Sequence, residues 1–196
     1  RALKDLDRAL ALDPEHARAY GVRAACRSSL GDHAGALADG ERAVALEPES
    51  AVAFMSRGVA RRGLGDIEGA LADFDRAVAL EPGGVDVLMN RGVCHKDRGA
   101  HARAVADFTK VLRAQPKHAW ALIFRGLSQL RHGQPRAALS DLDRAVAVAP
   151  RNAEAFVNRG LAKQALRDTE GARSDFDRAL AIDPEAALLE YLQMFY

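Results

Sequence analysis

The sequence predicts an all-α protein, a solenoid of antiparallel helix pairs, on three observations. Six of the seven prolines, Pro14, Pro48, Pro82, Pro116, Pro150 and Pro184, stand 34 residues apart. Apolar residues between them recur at helical spacing, as in Leu71, Phe74 and Val78 or Leu139, Leu142 and Val146. Gly31, Gly65, Gly99 and Gly133 interrupt that pattern midway between prolines. A self-similar period of this length marks an array in which each repeat buries its apolar face against the next.

Each period therefore holds two helices and two turns. The chain opens on a second-type helix over 1–12. First-type helices are expected near 17–30, 51–64, 85–98, 119–132 and 153–166, each followed by a second-type helix, near 33–46, 67–80, 101–114, 135–148 and 169–182. An incomplete first-type helix over 187–196 ends the chain. The phased prolines fall just after second helices and stop them, because proline can neither donate to the ladder nor clear the preceding turn. Pro135 is out of phase and opens a second helix, where its fixed φ fits and its missing N–H costs no hydrogen bond.

Other residues fall into columns on the same period. Asp5, Asp39, Asp73, Asp107, Asp141 and Asp175 lie nine residues before the six phased prolines, and Ala9, Ala43, Ala77, Val111, Ala145 and Ala179 lie five before them. Gly58, Gly92, Gly126 and Gly160 form a third column, joined by Ala24. A glycine inside a helix costs about 1 kcal/mol relative to alanine, so this column implies close approach of the two helices of a repeat. Phe74, Phe108 and Phe176 share a position where burial contributes roughly 1.5–3 kcal/mol each. Gly40 stands there in the first full repeat and should leave its packing looser. Arg23, Arg57, Arg91, Arg125 and Arg159 form a column on the first helices that matches the Asp column on the second, and an Arg-to-Asp ladder is expected between them.

Stretches such as Phe54-Met55-Ser56-Arg57-Gly58, then Leu64-Gly65-Asp66, Ala70, Phe74, Ala77 and Pro82, make the chain resemble the tetratricopeptide-repeat (TPR) family. The resemblance covers 1–196 as a single array: a half-repeat over 1–16, full repeats 17–50, 51–84, 85–118, 119–152 and 153–186, and a partial helix over 187–196. It implies a right-handed superhelix whose first helices line a concave groove. Peptides are usually held there at the second, fifth, sixth, ninth, twelfth and thirteenth positions of each repeat. Mapped onto this chain, the fourth repeat offers Trp120, Ile123, Phe124 and Leu127, much apolar surface for a face that should meet water. Met55 and Met89 flank them, and Asn90 and Asn158 could donate to and accept from an extended backbone. Members that grip a terminal carboxylate use a Lys/Asn, Asn, Lys/Arg triplet over successive repeats. No triplet here supplies it, so acidic C-terminal tails are not expected to be captured strongly.

The 196 residues are 48% hydrophobic and carry 28 Lys+Arg against 27 Asp+Glu, a formal net charge of +1. The signs look interspersed, which argues against the basic stripe that nucleic acid or an anionic membrane needs. No apolar run is long enough to span a bilayer and no signal-peptide layout opens the chain, so an intracellular, cytoplasmic protein is expected. The chain begins at Arg1 without a Met, as a trimmed or excised piece would.

Catalytic chemistry finds no foothold. Carboxylate pairs such as Asp73 and Asp75 recur as Asp5/Asp7, Asp141/Asp143 and Asp175/Asp177, whereas an active site is singular. Cys26 and Cys94 share a column with Ala60, Ser128 and Ala162 and read as small core residues. The six histidines scatter over different columns with no zinc-ligand spacing. The expectation is a non-enzymatic scaffold without cofactor or metal, holding a protein or peptide segment in its groove. Self-association through the ends or the groove competes with that use. The alternatives are a substrate-recruiting or regulatory segment of a larger enzyme and a structural component of a large assembly.

Overall fold

The computed structural model describes residues 2–185. The expected partial helix over 187–196 lies outside them. The described residues form eleven helices and no strand: α1 (Ala2–Leu12), α2 (Ala17–Ser29), α3 (His33–Leu46), α4 (Ala51–Gly63), α5 (Ile67–Leu80), α6 (Val85–Asp97), α7 (His101–Ala114), α8 (Ala119–Arg131), α9 (Pro135–Val148), α10 (Ala153–Ala165) and α11 (Thr169–Ile182). The chain divides into two compact units, Arg1–Cys94 and His95–Tyr196, with the boundary falling inside α6. In the first, α2 packs on α3 and α4, and α4 on α3 and α5; in the second, α8 packs on α7, α9 and α10, and α10 on α9 and α11. Each unit is thus a stack of helix pairs.

The turns have local causes. Gly31, Gly65, Gly99 and Gly133 close the first helices with φ between 72° and 83°, a left-handed conformation that glycine adopts without steric cost. In the fifth repeat Arg167 occupies that position at φ 68°. Asp32, Asp66 and Asp168 then cap the second helices, each carboxylate accepting from the backbone N–H three residues on at 2.9 Å. Pro135 opens α9 as its first residue. Ser50, His118 and Asn152 cap α4, α8 and α10 in the same way.

The column of small residues sits at the helix crossings. A Cβ added at Gly58 would lie 2.7 Å from the Phe74 ring, at Gly126 2.7 Å from Leu142 Cγ, and at Gly160 2.6 Å from the Phe176 ring. The glycine makes room for the large residue of the paired helix. In the first full repeat the two sizes are exchanged: Ala24 stands in the glycine column and Gly40 in the phenylalanine column. The result is not looser packing. A Cβ on Gly40 would come within 2.8 Å of Arg57 Cα, so α3 approaches the backbone of α4 directly, and Ala24, Ala36 and Ala60 close a small, fully buried cluster beside it.

The Arg-to-Asp ladder is present. Arg23, Arg57, Arg125 and Arg159 each donate through Nε and Nη2 to both oxygens of the Asp sixteen residues later, at 2.6–3.0 Å. The acceptors Asp39, Asp73, Asp141 and Asp175 are buried. A second arm reaches back into the preceding repeat, from Arg23 to Asp7, Arg91 to Asp75 and Arg159 to Asp143; Arg125 meets Thr109 there instead. In the pairs Asp73/Asp75 and Asp141/Asp143 the first carboxylate thus anchors the arginine of its own repeat and the second that of the next. Hydrogen bonding to Asp39, Asp73 and Asp175 holds the Arg23, Arg57 and Arg159 guanidinium groups above the usual arginine range, against the opposing effect of burial. The same three arginines lie 5.4 Å from the Tyr20, Phe54 and Phe156 ring centroids.

Candidate functional site

Among the described residues of the unit His95–Tyr196 the exposed large apolar side chains are Trp120 on α8, Val148 on α9 and Leu180 on α11, and Trp120 is the aromatic one. At 100° per residue, Trp120, Phe124, Leu127 and Arg131 fall on one stripe about 60° wide. Trp120 is 44% exposed and its ring lies 5.4 Å from that of Phe124. Phe124 is half-buried, reaching 5.9 Å from the fully buried Phe108 ring, with Lys96 Nζ 5.5 Å above it. Leu127 is half-buried and Arg131 exposed. Ile123 does not belong to this surface. It sits about 40° beyond the edge of the stripe, on the flank where helices pack, and is fully buried.

Asn158 is also fully buried. Its Nδ2 donates to the Glu154 carbonyl at 2.9 Å, so the amide folds back on its own helix rather than reaching outward. Its Oδ1 has no hydrogen-bond partner among the described residues. In the unit Arg1–Cys94, Asn90 makes the equivalent bond to the Asp86 carbonyl but stays half-exposed, as do Met55 and Met89. Met55, with Ser28, His33, Val59 and Arg62, lines a cavity of about 300 Å³ between α2 and α4.

The electrostatics of the second unit differ from the even balance of the whole chain. Burial, and after it the charges of Arg131, His132 and Lys96, push the His101 imidazole below the ordinary histidine range. Lys96 pairs with the exposed Asp97 at 2.6 Å, and Arg131 makes no ion pair with any described residue. Sequence columns missed this cluster, because Lys96, His101, Arg131 and His132 occupy four different repeat positions and meet only once the helices stack.

Among the described residues no group of three His, Cys, Asp or Glu converges on a point that could hold a metal ion. Cys94 is buried, Cys26 is half-buried, and neither forms a disulfide. No helix of the described residues is long and apolar enough to cross a membrane.

Stacked helix pairs, one Arg-to-Asp ladder and an apolar stripe on a first helix define a helical-repeat scaffold of the kind that binds proteins and peptides. The chain belongs to the tetratricopeptide-repeat family, whose sequence pattern matches residues 1–51, 55–119 and 125–187. Among solved structures it is similar to YrrB, a TPR protein with an unusual peptide-binding site, at 21% identity and a TM-score of 0.77 over 97% of this chain and 98% of that one. It is also similar to MamA from Desulfovibrio magneticus RS-1, at 20% identity and a TM-score of 0.78 over 86% and 96% of the two chains. These likenesses are of fold. No curated protein matches the chain.

Proposed function

We infer that the chain holds a segment of a partner protein against the exposed side chains of its first helices, with Trp120, Phe124 and Leu127 as the principal contacts in the unit His95–Tyr196. The observation that carries this reading is Trp120, the one tryptophan of the chain, standing 44% exposed on a first helix beside a second aromatic ring. A large aromatic side chain left in water at one end of an apolar stripe has the character of an interface anchor. YrrB, described as having a peptide-binding site, shares the fold and supports a peptide as the occupant. Met55, Met89 and Asn90 extend the same use to the first unit, where Met55 lines a cavity wide enough for a side chain. Ile123 and Asn158 act from beneath, fixing the helices on which the contacts stand.

The reading is tested by affinity capture with the chain and with its Trp120→Ala, Phe124→Ala variant, checked by circular dichroism to remain helical. A partner held by the parent and lost by the variant places binding on α8. Capture of the same proteins by both refutes it.

A further inference from the structure

We propose that the exposed face of α8 takes an acidic segment carrying an aromatic or aliphatic residue; this rests on the interaction reading above and narrows it to one partner chemistry. The first support is the geometry of the stripe. Trp120, Phe124 and Leu127 are followed in line by Arg131, and Lys96 stands over the Phe124 ring, so an apolar strip is bordered by cations on the same surface. A segment lying along it meets an apolar contact and a positive charge within one or two helical turns.

The second support is the distribution of charge. Between residues 95 and 136 nine Lys and Arg stand against two Asp and Glu, and four of the six histidines fall in the same stretch. One of the two acids, Asp107, is buried, and the other, Asp97, is already paired with Lys96. Arg103, Lys110, Arg113, Lys117, Arg131 and Arg136 are exposed and make no ion pair with any described residue. A chain whose total charge is +1 thus concentrates uncompensated positive charge in the stretch of sequence that carries Trp120, the most exposed aromatic side chain among the described residues. Such a field attracts anions and speeds their encounter.

A single-stranded nucleic acid is the other anion to consider. It would need several open aromatic faces on which successive bases stack. Here Phe124 is half-buried beside Lys96 and Trp120, which leaves Trp120 as the one exposed ring of the stripe. One apolar side chain amid carboxylates fits that surface better than a run of bases.

The test uses the full chain and fluorescein-labelled twelve-residue peptides, acetylated and amidated at their ends, read by fluorescence anisotropy. One peptide flanks a Leu-Phe core with Glu and Asp, a second replaces the acids with Lys, a third replaces them with Gln, and a fourth keeps the acids but replaces the core with Ser. The acidic Leu-Phe peptide should bind best, with an affinity that falls as salt rises. Charge reversal by Lys96→Glu with Arg131→Glu should weaken it about tenfold with helicity unchanged. Equal binding of the acidic and Lys peptides, or no change on charge reversal, overturns the proposal. Tighter binding of a dT oligonucleotide assigns the face to nucleic acid, displacement by a synthetic 186–196 peptide assigns it to the chain's own end, and a dimer that the acidic peptide cannot dissociate assigns it to a second copy; each also overturns it. If Trp120→Ala abolishes binding of the Gln peptide while charge reversal changes nothing, the interaction face stands and the acidic partner falls. If neither variant alters any peptide, both readings fall.

Discussion

Breaking the ladder at Arg57 and Asp73 should cost more than its exposed edge suggests. Asp73 is 2% exposed and accepts from Arg57 Nε at 3.0 Å, Arg57 Nη2 at 2.7 Å and Arg61 Nη1 at 2.9 Å. Arg57→Ala removes two charge-assisted bonds but leaves Arg61 to hold the carboxylate, a loss of about 2–3 kcal/mol. Asp73→Ala strands two guanidinium groups that can still turn partly toward water, for a loss of about the same size. In the double variant the pair is absent, and only the half-exposed Arg61 has lost a partner, with Asp66 still 3.9 Å from it. The double variant should therefore fall short of the sum of the two losses by about 1–2 kcal/mol. Urea denaturation of all four proteins, followed by far-ultraviolet circular dichroism, gives this coupling provided the slopes agree, since an array that unfolds repeat by repeat breaks the two-state assumption. A coupling below about 0.3 kcal/mol would mean that the ladder is a solvated decoration.

Other perturbations give separate tests of the packing. Gly40→Ala should destabilise more than Gly58→Ala in denaturant titrations, because the new Cβ meets the Arg57 backbone in one case and a Phe74 ring that can shift slightly in the other; the helix-propensity gain of about 1 kcal/mol is common to both. Arg167→Gly should raise stability by about 1 kcal/mol by relieving a left-handed non-glycine residue, read as a melting temperature about 2–4 °C higher. His101 has a depressed pKa in the fold, so the unfolded chain takes its proton first as acidity rises. Stability from this residue is complete above the ordinary histidine value and is lost as pH falls toward the lowered one. His101→Gln should accordingly lose less stability than the parent between neutral and mildly acidic pH in thermal melts.

Helix boundaries were legible in the sequence because proline and glycine act locally: second helices end where Pro48, Pro82, Pro116 and Pro150 predict, and α2, α4, α6 and α8 stop two residues before a glycine in the left-handed region. The ladder was legible because two columns of opposite charge kept one phase. Ile123 was misplaced because the groove positions of the family describe an average repeat, whereas exposure on α8 depends on how far each side chain lies from the Trp120 stripe. Asn158 was misplaced for a different reason. An amide can satisfy itself on the carbonyl four residues earlier, and nothing in composition reveals that choice. The Gly40 exchange could not be read from its own column, since its consequence depends on Ala24 across the crossing and on the backbone of the next repeat.

The basic surplus around α8 arises from particular missing acids, and their absence carries a cost that helix stability alone does not explain. Where other second helices are capped by Asp32, Asp66 and Asp168, α7 and α9 begin after Ala100 and Gln134, neither of which makes a side-chain cap. Where other repeats place Asp7, Asp75 and Asp143 on the ladder's second arm, this one has Thr109. The backbone at Ala100, with φ −78° and ψ 55°, is close to that of Asp32 at −78° and 69°, so an aspartate there would cap without rearrangement. Ala100→Asp and Gln134→Asp should each stabilise the chain by about 1 kcal/mol. Each also returns a carboxylate to the basic stretch between residues 95 and 136. If the forgone caps serve binding, the double variant will melt at a higher temperature and hold the acidic Leu-Phe peptide more weakly. If affinity is unchanged while stability rises, the charge asymmetry has no part in recognition, and the interaction face of α8 must select its partner by shape and apolar contact alone.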